Sequence, residues 1–370
     1  MAAAPTLTQS LGYIKNPRPT PPERHPLSTT PEEFIAHWTA SRGNLRRFLE
    51  EYALPPVNDR AQRTAGEAAA RAAFTAVADS YELEEEDFAS GVATVSGAFQ
   101  AADATQRAAG HNTTNPSPTP ATSTAAFFDV DNTLIQGASI IVFATGLYRR
   151  KYFSLRELIP VAWKQLKFRV TGNENADDVE EGRQQALEFI KGRSVEELVT
   201  LCEDIVDTHM SDKIWPGTQA LVQQHLDAGD QVWLVSATPV QLAQILARKL
   251  GCTGALGTVA EVKDGRFTGR LVGDILHGPG KKHAVAALAA IEGLDLDTCT
   301  AYSDSINDVP MLTMVGHAVA VNPDRQLQKM AQLHEWPIED YRSIRKAIKT
   351  FGLPAVLAAA VSLTWRVLRR

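Results

Sequence analysis

The chain has 370 residues, of which 44% are hydrophobic and 22% charged, and it carries a net charge of −6. This is the composition of a soluble globular protein with room for one large or two ordinary domains. The acidic balance excludes a basic field for nucleic acid, and Cys202, Cys252 and Cys299 are too scattered for a disulfide framework or a zinc site.

The first 29 residues hold no apolar core of signal-peptide type, only a Pro-rich polar run around Pro17 to Pro26, and are expected to be a disordered arm. A cytoplasmic setting is the default expectation. Thr30-Pro31-Glu32-Glu33 is a capping box with proline at the first helical position. The helix it opens has an apolar stripe of Phe34, Ile35, Trp38, Leu45, Phe48 and Leu49. A second, Ala-rich helix is expected over Gln62 to Ser80, and a third segment around Phe88 to Ala101 follows the acidic run Glu84 to Asp87. Residues 30–110 therefore read as a small N-terminal helical module. Residues 111–123, rich in Pro, Thr, Ser and Asn, read as a linker.

Thr124 to Phe128 is an apolar run that ends in Asp129 and Asp131, with Asn132 and Thr133 behind them. That pattern predicts a buried parallel strand delivering two carboxylates at its carboxyl end, where open α/β sheets bind ligands. A turn with Asx bonds is the plainer alternative. An EF-hand is excluded, because Leu134 and Ile140 stand where glycine and glutamate are needed.

Helical patterns then cover Ala138 to Tyr148, Leu155 to Val170 and Asp177 to Met210. This insertion, residues 137–213, is roughly 80 residues long and far exceeds an ordinary βα loop. It is expected to form a cap that closes over the site. From Trp215 the α/β rhythm returns, with strands at Gln231 to Val235, Thr298 to Tyr302 and His317 to Val321. A hairpin is expected at Val259 to Lys263 and Arg266 to Leu271, and helices after Pro239 and near Lys281. The fold class is α/β, a doubly wound parallel sheet, with the core over 124–340.

Asp129, Asp131, Ser236, Asp304 and Asp308 all fall at strand tips, and Lys281 opens a helix. In a doubly wound sheet these tips share one edge. Several carboxylates gathered there require a cation, and all-oxygen ligands point to Mg²⁺. Taken singly, Ser236 reads as an N-cap, Lys281 as a solvated side chain and Asp308 as a helix-start residue. Their ordered combination is the informative signal.

These residues resemble the haloacid dehalogenase (HAD) superfamily, in particular its phosphoserine-phosphatase-like branch (subfamily IB) with a helical cap after the first strand. Asp129-Val130-Asp131-Asn132-Thr133 is similar to the first motif, Val235-Ser236 to the second, and Lys281 of Gly278-Pro279-Gly280-Lys281 to the third. Asp304-Ser305-Ile306-Asn307-Asp308 is similar to the fourth, with Ser305 where many members carry glycine. The resemblance implies a Mg²⁺-dependent phosphomonoester hydrolase in which Asp129 is the nucleophile and Asp131 the general acid and base. It implies phosphate contacts from Thr133, Ser236, Ala237 and Lys281, and a metal site of Asp129, Asp131, Asp304 and Asp308. Lys282 is the neighbour that competes with Lys281 for this role. Phosphoserine phosphatases carry a glutamate shortly after the first motif, and here the corresponding position is Ala138.

In the tail, residues 341–370, basic residues flank an uncharged apolar run from Phe351 to Trp365. The run falls short of the roughly 20 residues that span a bilayer. Peripheral contact with the inner face of a membrane and docking on the core or a partner both fit it. The first would make a lipid phosphomonoester, of lysophosphatidate or phosphatidylglycerophosphate type, an alternative substrate to phosphoserine or another small phosphomonoester. An interaction protein with a vestigial hydrolase fold is the alternative of another class.

Overall fold

The computed structural model describes residues 71–108, 122–150, 152 and 190–342. The expected N-terminal arm and capping-box helix, nearly all of the linker, the middle of the cap and the apolar tail lie outside them.

Helix α1 (Glu85–Ala108) follows a helical stretch at 71–80. The chain then enters β1 (Ala125–Asp129) and α2 (Ser139–Arg149) and resumes with α3 (Val195–Ile205). A π-helical turn (Val206–Met210) and a 3₁₀ turn (Ser211–Lys213) lead into α4 (Pro216–Ala228) and β2 (Gln231–Pro239). Next come α5 (Val240–Leu250), β3 (Gly254–Lys263), β4 (Arg266–Val272) and α6 (Pro279–Glu292). The chain continues through β5 (Thr300–Ser303), α7 (Val309–Leu312), β6 (His317–Val321), α8 (Arg325–Leu333) and β7 (Ile338–Glu339). Glycines end α4, α5 and α6 in the left-handed conformation, at Gly229, Gly251 and Gly293.

The strands form one seven-stranded sheet in the order β4-β3-β2-β1-β5-β6-β7, parallel except for β4. The doubly wound sheet is as expected. The order reverses at β1, which has β2 on one side and β5 on the other. That reversal opens the crevice in which such sheets bind ligands.

Alternation along β1 feeds two cores. Ala125 and Phe127 point into one with Ala284, Leu288, Met311 and Leu327, while Ala126 and Phe128 point into the other with Val222, Leu242 and Leu246. The second core also takes in Phe143 and Leu147 of α2 and Leu198, Cys202 and Ile205 of α3. The described ends of the cap are therefore packed onto the sheet's helices. Backbone bonds between Gly192 and Phe267 and between Val195 and Gly265 also tie them to the β3–β4 hairpin.

Helix α1 belongs to the first core: Phe88, Val95 and Ala98 are fully buried with residues of α6 and β3. It approaches so closely that a Cβ on Gly91 would lie 2.2 Å from the carbonyl oxygen of His283. The sequence boundary near residue 123 thus separates elements that share one hydrophobic core.

Three local expectations are corrected. The helix drawn over Asp177 to Met210 is interrupted at Gly192, whose φ of 77° is left-handed, and α3 starts anew at Val195, capped by Ser194. Strand β2 does not stop at Val235 but runs to Pro239 across a register shift. The hairpin's first arm is also a core strand, because β3 pairs in parallel with β2 from Gly254 before it meets β4. Among the described residues, no helix is long and apolar enough to cross a membrane.

Candidate active site

Register sets the site. Asp129 pairs with Val235 of β2, and Phe128 with Tyr302 of β5, so Ser236 and Asp304 emerge just beyond Asp129 on either side. Lys281, in the first turn of α6, reaches in between the strand tips. Its ammonium lies 2.5 Å from Asp129 Oδ1 and 2.6 Å from Asp308 Oδ2. Asp308 Oδ2 also accepts from Ser303 Oγ at 2.6 Å. All three charged residues are at most 5% exposed, so each must be satisfied within the cluster. Lys282, one residue on, is half-buried and bonds the Glu82 carbonyl instead.

One cation cannot balance the carboxylates gathered here. Burial, and then the charges of Asp129 and Asp308, push Asp304 up to about 8. Burial pushes Asp129 up to about 7 against the pull of Lys281, with Asp308 and Asp131 adding to the rise. Burial opposes the Lys281 ammonium, but its two carboxylate partners outweigh it and hold its pKa above the ordinary value. The rise of Asp304 beside the charges of Asp129 and Asp308 marks a place that fits a divalent cation. Among the described residues no group of three His, Cys, Asp or Glu side chains is arranged as a metal cluster.

The loop after β1 is held by its own polar atoms. Asn132 adopts a left-handed φ of 56°, its Oδ1 accepts from Gly137 N at 3.0 Å, and its side chain favours the ionised form of the Asp304 carboxyl. Asp131 Oδ1 accepts from Ser139 N at 2.8 Å and from Ser139 Oγ, at the start of α2. Thr133 is fully buried; its carbonyl accepts from Thr218 Oγ1 at 2.8 Å, while its own Oγ1 has no protein partner. Ser236 is buried at the β2 irregularity and its Oγ accepts from Thr238 N and Oγ1, both at 3.2 Å. It is not an N-cap: Pro239 precedes α5, and no side chain caps that helix. Ala237 is exposed, with its carbonyl taken by Thr258 Oγ1.

The expected strand-tip residues thus come together at one edge. Sequence reasoning missed Ser139, Ser303 and the bonding of Asn132. Ser303 and Asn132 were signalled only as small polar residues beside Asp304 and Asp131, and Ser139, eight residues beyond Asp131, carried no signal. A cavity of about 1010 Å³ between α1, the β3–β4 hairpin and the start of α3 touches none of these residues.

Residues 126–313 match the family model described as haloacid dehalogenase-like hydrolase. The chain belongs to that family. A putative hydrolase of Mycobacterium leprae is 56% identical over 255 residues, 69% of this chain and 85% of its own. A Mycobacterium tuberculosis protein named phosphoserine phosphatase is 59% identical over 234 residues, 63% of this chain and 76% of its own. Among solved structures, a protein of unknown function from Bordetella pertussis Tohama I superposes with a TM-score of 0.54. It is 30% identical and covers 59% of this chain and 99% of its own. The chain is a phosphatase of HAD type, similar to phosphoserine phosphatases. A vestigial hydrolase fold does not account for the intact Asp129–Lys281–Asp308 cluster.

Proposed function

We propose that the protein hydrolyses a small phosphomonoester, of phosphoserine type, through an aspartyl-phosphate on Asp129. The observation that carries the reading is the buried Lys281 ammonium bridging Asp129 and Asp308 at the point where the strand order reverses. Lys281 opposes the protonation that burial favours at the nucleophile's carboxyl, orients it, and offers positive charge to a transferring phosphoryl group. Asp129 attacks phosphorus in line with the ester oxygen, and that P–O bond breaks as the new one forms. Asp131, anchored by Ser139 beside the nucleophile, gives a proton to the leaving alcohol. It then takes one from the water that opens the acyl phosphate. Ser236, the free hydroxyl of Thr133 and the Ala237 backbone are the remaining candidates for phosphoryl contacts.

The carboxylates of Asp129 and Asp304 and the backbone carbonyl of Asp131 would hold Mg²⁺, with Asp308 supporting from behind. When bound, the ion neutralises phosphoryl charge. The insertion at 137–213 serves as the cap that excludes water from the acyl phosphate.

Phosphate release from phosphoserine, histidinol phosphate, sugar phosphates and glycerol phosphate, with Mg²⁺ and with EDTA, tests the reading. Release that requires Mg²⁺ and leaves a hydroxylamine-sensitive phosphoenzyme supports it. The variant Asp129→Asn should lose at least about a thousandfold in kcat with its fold intact, because a carboxamide is a poor nucleophile. Near-normal turnover by that variant would remove Asp129 from the mechanism.

A further inference from the structure

Asn322 lies just past β6 and is 1% exposed, with a left-handed φ of 48°. Its backbone N–H and both ends of its side-chain amide are committed. Its backbone N–H donates to the Glu339 carbonyl at 2.7 Å, and its Oδ1 accepts from Tyr341 N at 2.8 Å. Its Nδ2 donates to the Asn132 carbonyl at 2.9 Å. Asn132 Oδ1 in turn accepts from the Gly137 amide at 3.0 Å.

We propose that Asn322 is a positioning residue for phosphoryl transfer, fixing the loop from Asp129 to Thr133 against the segment that follows β7. This rests on the reading of the Asp129 site given above. Two successive carbonyls of that loop are gripped from opposite sides: Asn132 by Asn322, and Thr133 by Thr218 of α4. The two supports also meet. The Tyr341 ring fills the space over Gly217, where a Cβ would lie 2.2 Å from its Cε1 atom. The bond to Asn132 therefore has a rigid base. Losing it lets the Asn132–Thr133 peptide rotate and shifts the neighbouring Asp131 carboxyl and the Asn132 side chain with it. Displacements of about 1 Å at such a centre cost about a hundredfold in rate.

A turn-forming role alone would require only a residue tolerant of positive φ. Asparagine, aspartate and glycine all satisfy that. Asn322→Gly and Asn322→Asp keep the backbone and remove the donor to Asn132. The ionised aspartate cannot donate, but its protonated form can, so that variant alone should recover towards acid pH.

The test measures kcat and KM for p-nitrophenyl phosphate from pH 5 to 8, and Mg²⁺ affinity by calorimetry, on both variants and the parent. Folding is checked by circular dichroism at the assay temperature. Both variants should lose about ten- to a hundredfold in kcat or in Mg²⁺ affinity, with KM within about threefold. The aspartate variant should regain kcat relative to the glycine variant as pH falls. Variants within twofold of the parent in both quantities overturn the proposal, as does an aspartate variant with no acid-side recovery. A parent that binds Mg²⁺ but releases no phosphate refutes the phosphatase reading instead; the positioning role is then decided on Mg²⁺ affinity.

Discussion

Replacing Lys281 by methionine keeps much of the side-chain volume and removes the one ammonium that touches both Asp129 and Asp308. Two carboxyl groups at most 5% exposed are then left without a cation. Removing one partner of a buried charge pair costs about 3–5 kcal/mol, because the charge left behind has lost both water and partner. For a folded unit of this size that corresponds to a fall in Tm of about 6–20 °C. The loss must depend on pH. With Lys281 gone, the folded carboxyls titrate well above the roughly 4 of the unfolded chain, so the native state holds protons that the unfolded state has released. The deficit is therefore smallest below about pH 4 and grows as pH rises. Urea denaturation of parent and variant at pH 5 and pH 8, without divalent cations, measures it. A loss under 1 kcal/mol at pH 8, or one equal at both pH values, would refute the charge argument.

Phe88→Ala should destabilise the whole hydrolase core by about 3–5 kcal/mol, since the ring is fully buried and packs on Phe74 at 5.1 Å. A single cooperative transition shifted to lower denaturant is expected; an unchanged main transition would mean that α1 folds apart from the sheet. Gly91→Ala should cost about 1–3 kcal/mol, because its methyl meets the backbone of α6 rather than a movable side chain. A thermal melt within 1 °C of the parent would contradict that close approach. Asp304, raised to about 8 when folded, holds a proton that the unfolded chain releases near pH 4. Metal-free protein should therefore lose stability as pH rises from 5 to 8, Mg²⁺ should restore more at pH 8 than at pH 5, and Asp304→Asn should flatten the profile. A parent profile that rises over that window would falsify the assignment.

Much of the fold was legible because its signals are local. The run ending at Asp129, the glycine after α5 and the strand from His317 to Val321 are each written within a few residues of sequence. The misses lie where longer-range contacts decide. Gly192 breaks a helical pattern because residues 192–195 bond instead to the β3–β4 hairpin. Strand β7 has two exposed residues, Ile338 and Glu339, and exists only because β6 offers them an edge. Strand β2 continues past Val235 because Thr258 of β3 lies ready to pair with Pro239.

The sequence by itself determined the order of chemistry: carboxylates at strand tips, a lysine opening a helix, and the sheet topology that gathers them on one edge. Those follow from patterns that are short in sequence and from the handedness of parallel crossovers. Only the tertiary structure decided which lysine serves. Successive residues on a helix point about 100° apart, and packing alone turned Lys281 inward and Lys282 towards Glu82. It alone decided that α1 completes the hydrolase core and that Asn322 grips the Asn132 carbonyl from 190 residues away. Contacts at that distance depend on register and close packing, which no local pattern encodes.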